Sequence, residues 1–203
     1  MLAGRSVSGT LGRDGEERRD AERTRPVKIA VLLSGGVDSS VALRLLVEEG
    51  CELTAFYLKV WLEDELAHLG RCPWEEDLGY ARAVCEAAGV PLEVVPLQRP
   101  YHRRVVEDAV SELRAGRTPS PDILCNRRIK FGAFLDHLGE RGGDFDRVAS
   151  GHYARVFAAD GERQLLKGVD PVKDQTYFLF RLDQRQLRRC LFPLGGYHKR
   201  EVR

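Results

Sequence analysis

The chain has 203 residues, 43% hydrophobic and 31% charged, with 32 basic against 31 acidic side chains and a formal net charge of +1. That length predicts one domain or one and a fraction, and that balance excludes a uniformly basic nucleic-acid coat while leaving local basic patches open. No apolar stretch approaches the roughly 20 residues that span a bilayer, and residues 1–25 lack the apolar core of a secretory signal, so neither a membrane partner nor secretion is expected.

Residues 1–25 are rich in Arg, Gly and Glu and read as a disordered extension. Their six arginines are accompanied by five acids, unlike a typical organellar transit peptide. From Val27 the pattern changes. "VKIAVLL" (27–33) is a nearly continuous apolar run, as in a strand buried on both faces. A helix follows over 38–49, with Val41, Leu45, Leu46 and Val47 apolar and Gly50 as its stop. "LTAFYL" (53–58) is a second buried strand, and 59–73 is irregular, holding Trp61, Cys72 and Pro73. A helix over 74–88 lines up Leu78, Ala81, Cys85 and Ala88, with Cys85 assigned to the core. Pro91 and Pro96 bracket a third strand, "LEVV". Val106, Ala109, Val110 and Leu113 predict one apolar face on a helix over 101–114. Residues 115–126 read as a loop, and 126–139 as a helix carrying Phe131, Phe134, Leu135 and Leu138. "FDRVAS" (145–150) is a fourth strand ending on "GHY", and 154–167 is a hairpin turning at Asp160-Gly161. Strands alternating with helices predict an α/β fold, a parallel sheet with helices on both faces.

The five cysteines, Cys51, Cys72, Cys85, Cys125 and Cys190, include no CxxC pair, so no zinc site on that spacing is expected. An odd count without a secretory signal suggests a reducing compartment and leaves room for a reactive thiol.

The chemistry starts at "LLSGGVDSS" (32–40), where the first strand stops on glycines. Ligands in such folds sit at the carboxyl ends of strands. Gly35 and Gly36 let backbone N–H groups turn outward, and the next helix presents its free N–H groups and positive dipole end to an anion. The hydroxyls of Ser34, Ser39 and Ser40 are candidate extra donors. No lysine follows the glycines, so this is neither a Walker A loop nor GxGxxG. Asp38 beside a polyphosphate would repel it unless a divalent cation lay between, which points to magnesium and ATP. "SGGVDSS" resembles the pyrophosphate loop of the N-type ATP pyrophosphatases, which cleave ATP between the α and β phosphates and adenylate a carbonyl oxygen.

A second motif is "AGRTPSPDILCNRRIKF" (115–131). Pro119 and Pro121 stiffen the loop, which delivers Asp122 and Cys125 just ahead of a helix. Placed at or near that helix's N-cap, and flanked by Arg127 and Arg128, Cys125 is expected to be exposed and partly thiolate near neutral pH.

With "FYLKVW", "ASGHYARV" and "KDQTYFLF" in the same order, the stretch from Val27 to Arg203 is similar to the tRNA-specific 2-thiouridylases, which replace the 2-oxygen of the wobble uridine with sulfur. The resemblance implies an adenine nucleotide alpha-hydrolase-like, Rossmann-like fold. It implies ATP held by Leu32, Leu33, Ser34, Gly35, Gly36, Val37, Asp38 and Ser39, with Leu58 and Gly151 against the nucleotide. It implies Ser120, Pro121 and Asp122 on the target base, Ser120 standing where the family usually has Asn, and Lys173, Asp174 and Gln175 on tRNA. Cys125 is then the catalytic nucleophile and Asp122 a proton-transfer group. His152 is read as orienting its loop. No metal site is implied beyond ATP-bound magnesium near Asp38. The partners implied are tRNA and a persulfide donor or relay protein, and disulfide chemistry belongs to the same picture.

The implied organisation is a disordered 1–25, an ATP pyrophosphatase domain over 26–168, and the start of a helical tRNA-binding region over 169–203. The family's second cysteine and its β-rich C-terminal domains have no counterpart in these residues, and Cys190 in "RRCLFPLG" does not substitute. The chain is therefore expected to bind ATP with magnesium without completing thiolation. "FYLKVW" and "CPWEEDL" (72–78) look closest to plant and algal sequences, which favours a plastid or mitochondrion if the source is eukaryotic and the cytoplasm otherwise. Two alternatives stand beside this reading: another ATP pyrophosphatase acting on a small molecule, and a non-catalytic nucleotide- or tRNA-binding module.

Overall fold

A computed structural model describes residues 26–60, 73–142 and 145–203. The expected disordered extension, and Trp61 and Cys72 of the expected irregular segment, lie outside the described residues.

Strand β1 (Lys28–Leu32) leads into helix α1 (Val37–Glu48), then β2 (Glu52–Lys59), α2 (Pro73–Ala88) and β3 (Leu92–Pro96). Two composite helices follow. Helix α3 joins Gln98–Tyr101, a π-helical stretch His102–Val106, and Glu107–Arg114; helix α4 joins Pro121–Cys125, a π-helical stretch Asn126–Ala133, and Phe134–Glu140. Strand β4 (Arg147–Ala149) precedes the hairpin of β5 (Ala154–Ala159) and β6 (Glu162–Lys167). Short helix α5 (Gln184–Leu187), strand β7 (Cys190–Leu191) and helix α6 (Lys199–Val202) complete the described chain.

The main sheet has the order β3-β2-β1-β4-β7 with every pair parallel. Alternation along β1 sends Ile29 and Val31 toward Leu43 and Leu46 of α1 and Leu78, Ala81 and Cys85 of α2. Ala30 and Leu32 point the other way, to Phe131, Phe134 and Leu138 of α4. Both faces are thus covered, which is why 27–33 is apolar at almost every position. Phe56 of β2 anchors the second face, meeting the Phe134 ring edge-on at 5.0 Å. The hairpin turns at Asp160 and Gly161, whose φ angles of 52° and 77° are those of a two-residue primed turn.

Two expectations change. The last predicted helix begins at Pro121, five residues earlier, because Pro at the first helical position is pre-set for helix and needs no N–H partner there. In α3 the predicted apolar face is not the buried one. Val110 is 39% and Leu113 is 61% exposed, while Val105 is buried. The π-helical turn at His102–Val106 interrupts the 3.6-residue spacing on which that expectation rested.

Candidate active site

The strand order reverses at β1, which has β2 on one side and β4 on the other. The loops leaving β1 and β4 therefore diverge and open a crevice at their carboxyl ends. A cavity of about 300 Å³ lies there, bordered by Ser34, Asp38 and Gly151 on the loop side and by Cys125, Ile129 and Lys130 of α4 on the other.

The glycines are needed where backbones meet. Gly35 has φ +78°, and a Cβ there would lie 2.4 Å from the Asp77 carbonyl oxygen. A Cβ on Gly151 would lie 2.8 Å from both the Asp38 carbonyl carbon and the Ser39 nitrogen. Gly36 is the N-cap of α1 and provides no side-chain cap, so the first-turn N–H groups stay available to an anion. The serines act differently from the expectation. Ser39 Oγ donates to the Gly36 carbonyl at 2.9 Å and accepts from Ser34 N at 3.2 Å, and Ser40 Oγ donates to the same carbonyl at 3.0 Å. Their hydroxyl protons shape the loop rather than face the cavity.

Asp38 already has two partners within the chain. Its Oδ1 accepts from the Tyr153 hydroxyl at 2.9 Å and pairs with the ammonium of Lys199. The Lys199 backbone N–H is fixed in turn by Asp170 Oδ2 at 2.7 Å. Burial, then the bond to Asp38, pushes the Tyr153 phenol well above its ordinary pKa, so it remains a donor. Nothing in the local spacing signals Lys199, which lies 161 residues from its partner. Among the described residues no three His, Cys, Asp or Glu side chains converge as a resident metal site. Two carboxylate residues, Asp38 and Asp77, do border the cavity.

Cys125 reaches the cavity from the end of the first α-helical turns of α4, half-buried against the core. Burial raises its thiol pKa, Lys130 opposes this, and Asp122 adds to it. Burial therefore reverses the expected lowering, and the earlier helix start leaves Cys125 past the first turn. Arg128 is drawn away to Asp108 at 2.7 Å and to the Arg104 carbonyl. Lys130, five residues on, shares the Cys125 wall because π-helical i→i+5 bonding stacks residues five apart.

The remaining candidates are divided. Leu32, Leu33, Ser39, Leu58 and Gln175 line the cavity. Gln175 does so while accepting from Tyr153 N at 3.0 Å. Val37 is 48% exposed at the start of α1. Asp122, exposed in the first turn of α4, and Pro121 lie outside the cavity, and Ser120 lines a neighbouring groove. Lys173 N donates to Asp170, and Asp174 accepts from the Thr176 hydroxyl and backbone N–H. His152 packs between Phe131 and Phe192 and shares a 2.8 Å bond with Ser150 Oγ. Burial, helped by Lys130, pushes its pKa down to about 3, so it stays neutral. Cys51, Cys85, Cys125 and Cys190 are free thiols, with Cys85 and Cys190 in the core.

The tRNA-specific 2-thiouridylase MnmA of Methylococcus capsulatus is 50% identical over 175 residues, covering 86% of this chain and 46% of that protein. Its namesake from Francisella tularensis subsp. holarctica is 47% identical over 177 residues, covering 87% and 48%. The chain thus spans about half the length of the curated relatives it matches. Among solved structures, the U34-tRNA thiolase NcsA of Methanococcus maripaludis shares the fold with a TM-score of 0.51 at 19% identity, over 87% of this chain and 54% of that one. No helix of the described residues is long and apolar enough to cross a membrane. The sequence model of the tRNA methyl transferase HUP domain matches residues 27–203, from the first strand of the sheet to the helix that carries Lys199, and the chain belongs to that family.

Proposed function

We propose that this chain carries the ATP-dependent step of tRNA 2-thiolation. One observation supports it above the others: a single cavity brings the glycine loop and Cys125 together. The triphosphate fits against the uncapped first turn of α1, with the adenine beside Leu58. ATP supplies an electrophilic α-phosphorus: the C2 oxygen of the wobble uridine attacks it, pyrophosphate leaves, and that oxygen departs later as part of AMP. Magnesium would arrive with the nucleotide and meet Asp38 and Asp77. Lys130 stabilises negative charge at Cys125 Sγ, and Asp122 is the proposed proton-transfer group of the same helix. The sulfur comes from a persulfide on a separate donor. As Cys125 forms a disulfide with the donor cysteine, the terminal sulfur is released at the sulfide level and remains on C2. Ser120, Pro121, Lys173 and Asp174 are the proposed tRNA contacts. Residues 26–168 form the proposed ATP-binding domain, and 169–203 begin the proposed tRNA-binding region.

The test is pyrophosphate release from ATP with tRNA carrying uridine or cytidine at the wobble position. Uridine tRNA is expected to stimulate release, and Cys125→Ser to keep it, since the thiol enters only after adenylation; 2-thiouridine is not expected from this chain alone, even with a persulfide donor. Release indifferent to the wobble base overturns the reading.

A further inference from the structure

The two π-helical stretches pack against each other on the side of α4 away from the cavity. Arg104 donates to the Arg128 carbonyl at 3.4 Å, and Arg128 donates to the Arg104 carbonyl at 2.7 Å, a reciprocal clasp across α3 and α4. Carbonyls released by the wide turn of α4 are taken up by Gln186, whose Nε2 reaches Arg127 O at 2.8 Å and Phe131 O at 2.6 Å. Between these elements lies a groove of about 550 Å³ lined by Arg103, Arg104, Arg127, Arg128, Gly132 and Gln186. Only Arg128 has a carboxylate partner there among the described residues, Asp108. A chain of nearly balanced charge has thus gathered four guanidinium groups around one concavity.

Arg128 is also the shared wall of a second groove, of about 390 Å³, which includes Ser120 at the start of α4, the Phe180 and Arg181 side chains, and two carboxylates, Asp108 and Glu112, that are paired with Arg128 and Arg117. Phe180 is 61% exposed, and the Arg181 guanidinium lies 5.7 Å from its ring centre. A basic groove continuous with an open aromatic face is what an unpaired nucleic-acid strand requires: phosphates for the guanidinium groups and a base for the ring.

We propose that this tract binds an unpaired RNA strand, with backbone phosphates in the four-arginine groove and one base stacked on Phe180. It deepens the tRNA reading above, naming where the strand flanking the target nucleotide runs.

The experiment uses the 203-residue chain and a fluorescent anticodon stem-loop RNA, titrated at several salt concentrations. The variants are Arg103→Ala/Arg127→Ala, both exposed side chains, and Phe180→Ala, each checked for unchanged melting temperature and ATP binding. Two lost phosphate contacts are expected to weaken binding about tenfold and to flatten the plot of log K against log salt by about 1.4, at ~0.7 per contact for a single strand. Phe180→Ala is expected to weaken binding without changing the slope. Unchanged affinity and slope in the double variant overturn the proposal. So does equal competition by inorganic tripolyphosphate, which marks a small-anion site. Pyrophosphate release is measured in parallel. A double variant that loses RNA affinity while wild-type release ignores tRNA leaves the groove standing and removes the thiolation reading; the reverse pattern removes the groove alone.

Discussion

Cys125 is a thiol restrained by its own burial, with Lys130 as the opposing influence. Alkylation at Cys125, followed by peptide mapping, is therefore expected to be slow near neutral pH and to accelerate only above the ordinary thiol range. Lys130→Met removes the one charge that lowers this pKa and is expected to move the alkylation profile to still higher pH. An unmoved profile would place the lysine out of electrostatic reach. The residues proposed to carry the chemistry could be picked out from the sequence because "SGGVDSS" and "PSPDILCN" are contiguous. Their local states could not. Whether Cys125 is exposed depends on the core that α4 packs into, and whether Ser39 offers its proton to a ligand depends on where Gly36 O points.

At the scale of elements, periodicity located every strand of the main sheet but β7, and every long helix among the described residues, yet missed the proline-led start of α4 and misread the buried face of α3. A π-helical turn has no apolar signature of its own, so a 3.6-residue pattern drawn through it assigns the wrong face, as with Leu113 in α3. The same turn in α4 brings Lys130 beside Cys125, a pairing that α-helical spacing would not predict. Loop contacts at the crevice are equally invisible in sequence and equally strict. Gly151→Ala would press a methyl group against the Asp38–Ser39 backbone and is expected to cost about 1–3 kcal/mol. It should also weaken ATP binding, read by thermal melting and nucleotide titration. Gly79→Ala, with open space around it in α2, is expected instead to gain about 0.5–1 kcal/mol. If both variants melt alike, close approach is not what Gly151 provides.

Across the whole molecule, the segment after the hairpin is fastened to the crevice through Asp170. Backbone N–H groups of Lys199, Lys173 and Val172 hold its carboxyl down at about 2, from an ordinary 3.8. A carboxylate depressed in the folded state contributes stability above its unfolded pKa and loses it as pH falls through the folded value. Asp170→Asn should therefore lower the melting temperature near neutral pH, and the gap should close as pH drops from about 4 toward about 2. A gap that persists unchanged across that range would argue against the charge as its cause. Lys199 adds a consequence in time. A ribosome delivers Asp38 long before Lys199, so during synthesis the glycine loop carries an acid with no resident counter-charge, and β4 lacks its outer neighbour until Cys190 and Leu191 emerge. The nascent crevice is thus electrostatically unfinished until Lys199 emerges, 161 residues after its partner Asp38, and nucleotide capture waits on that arrival.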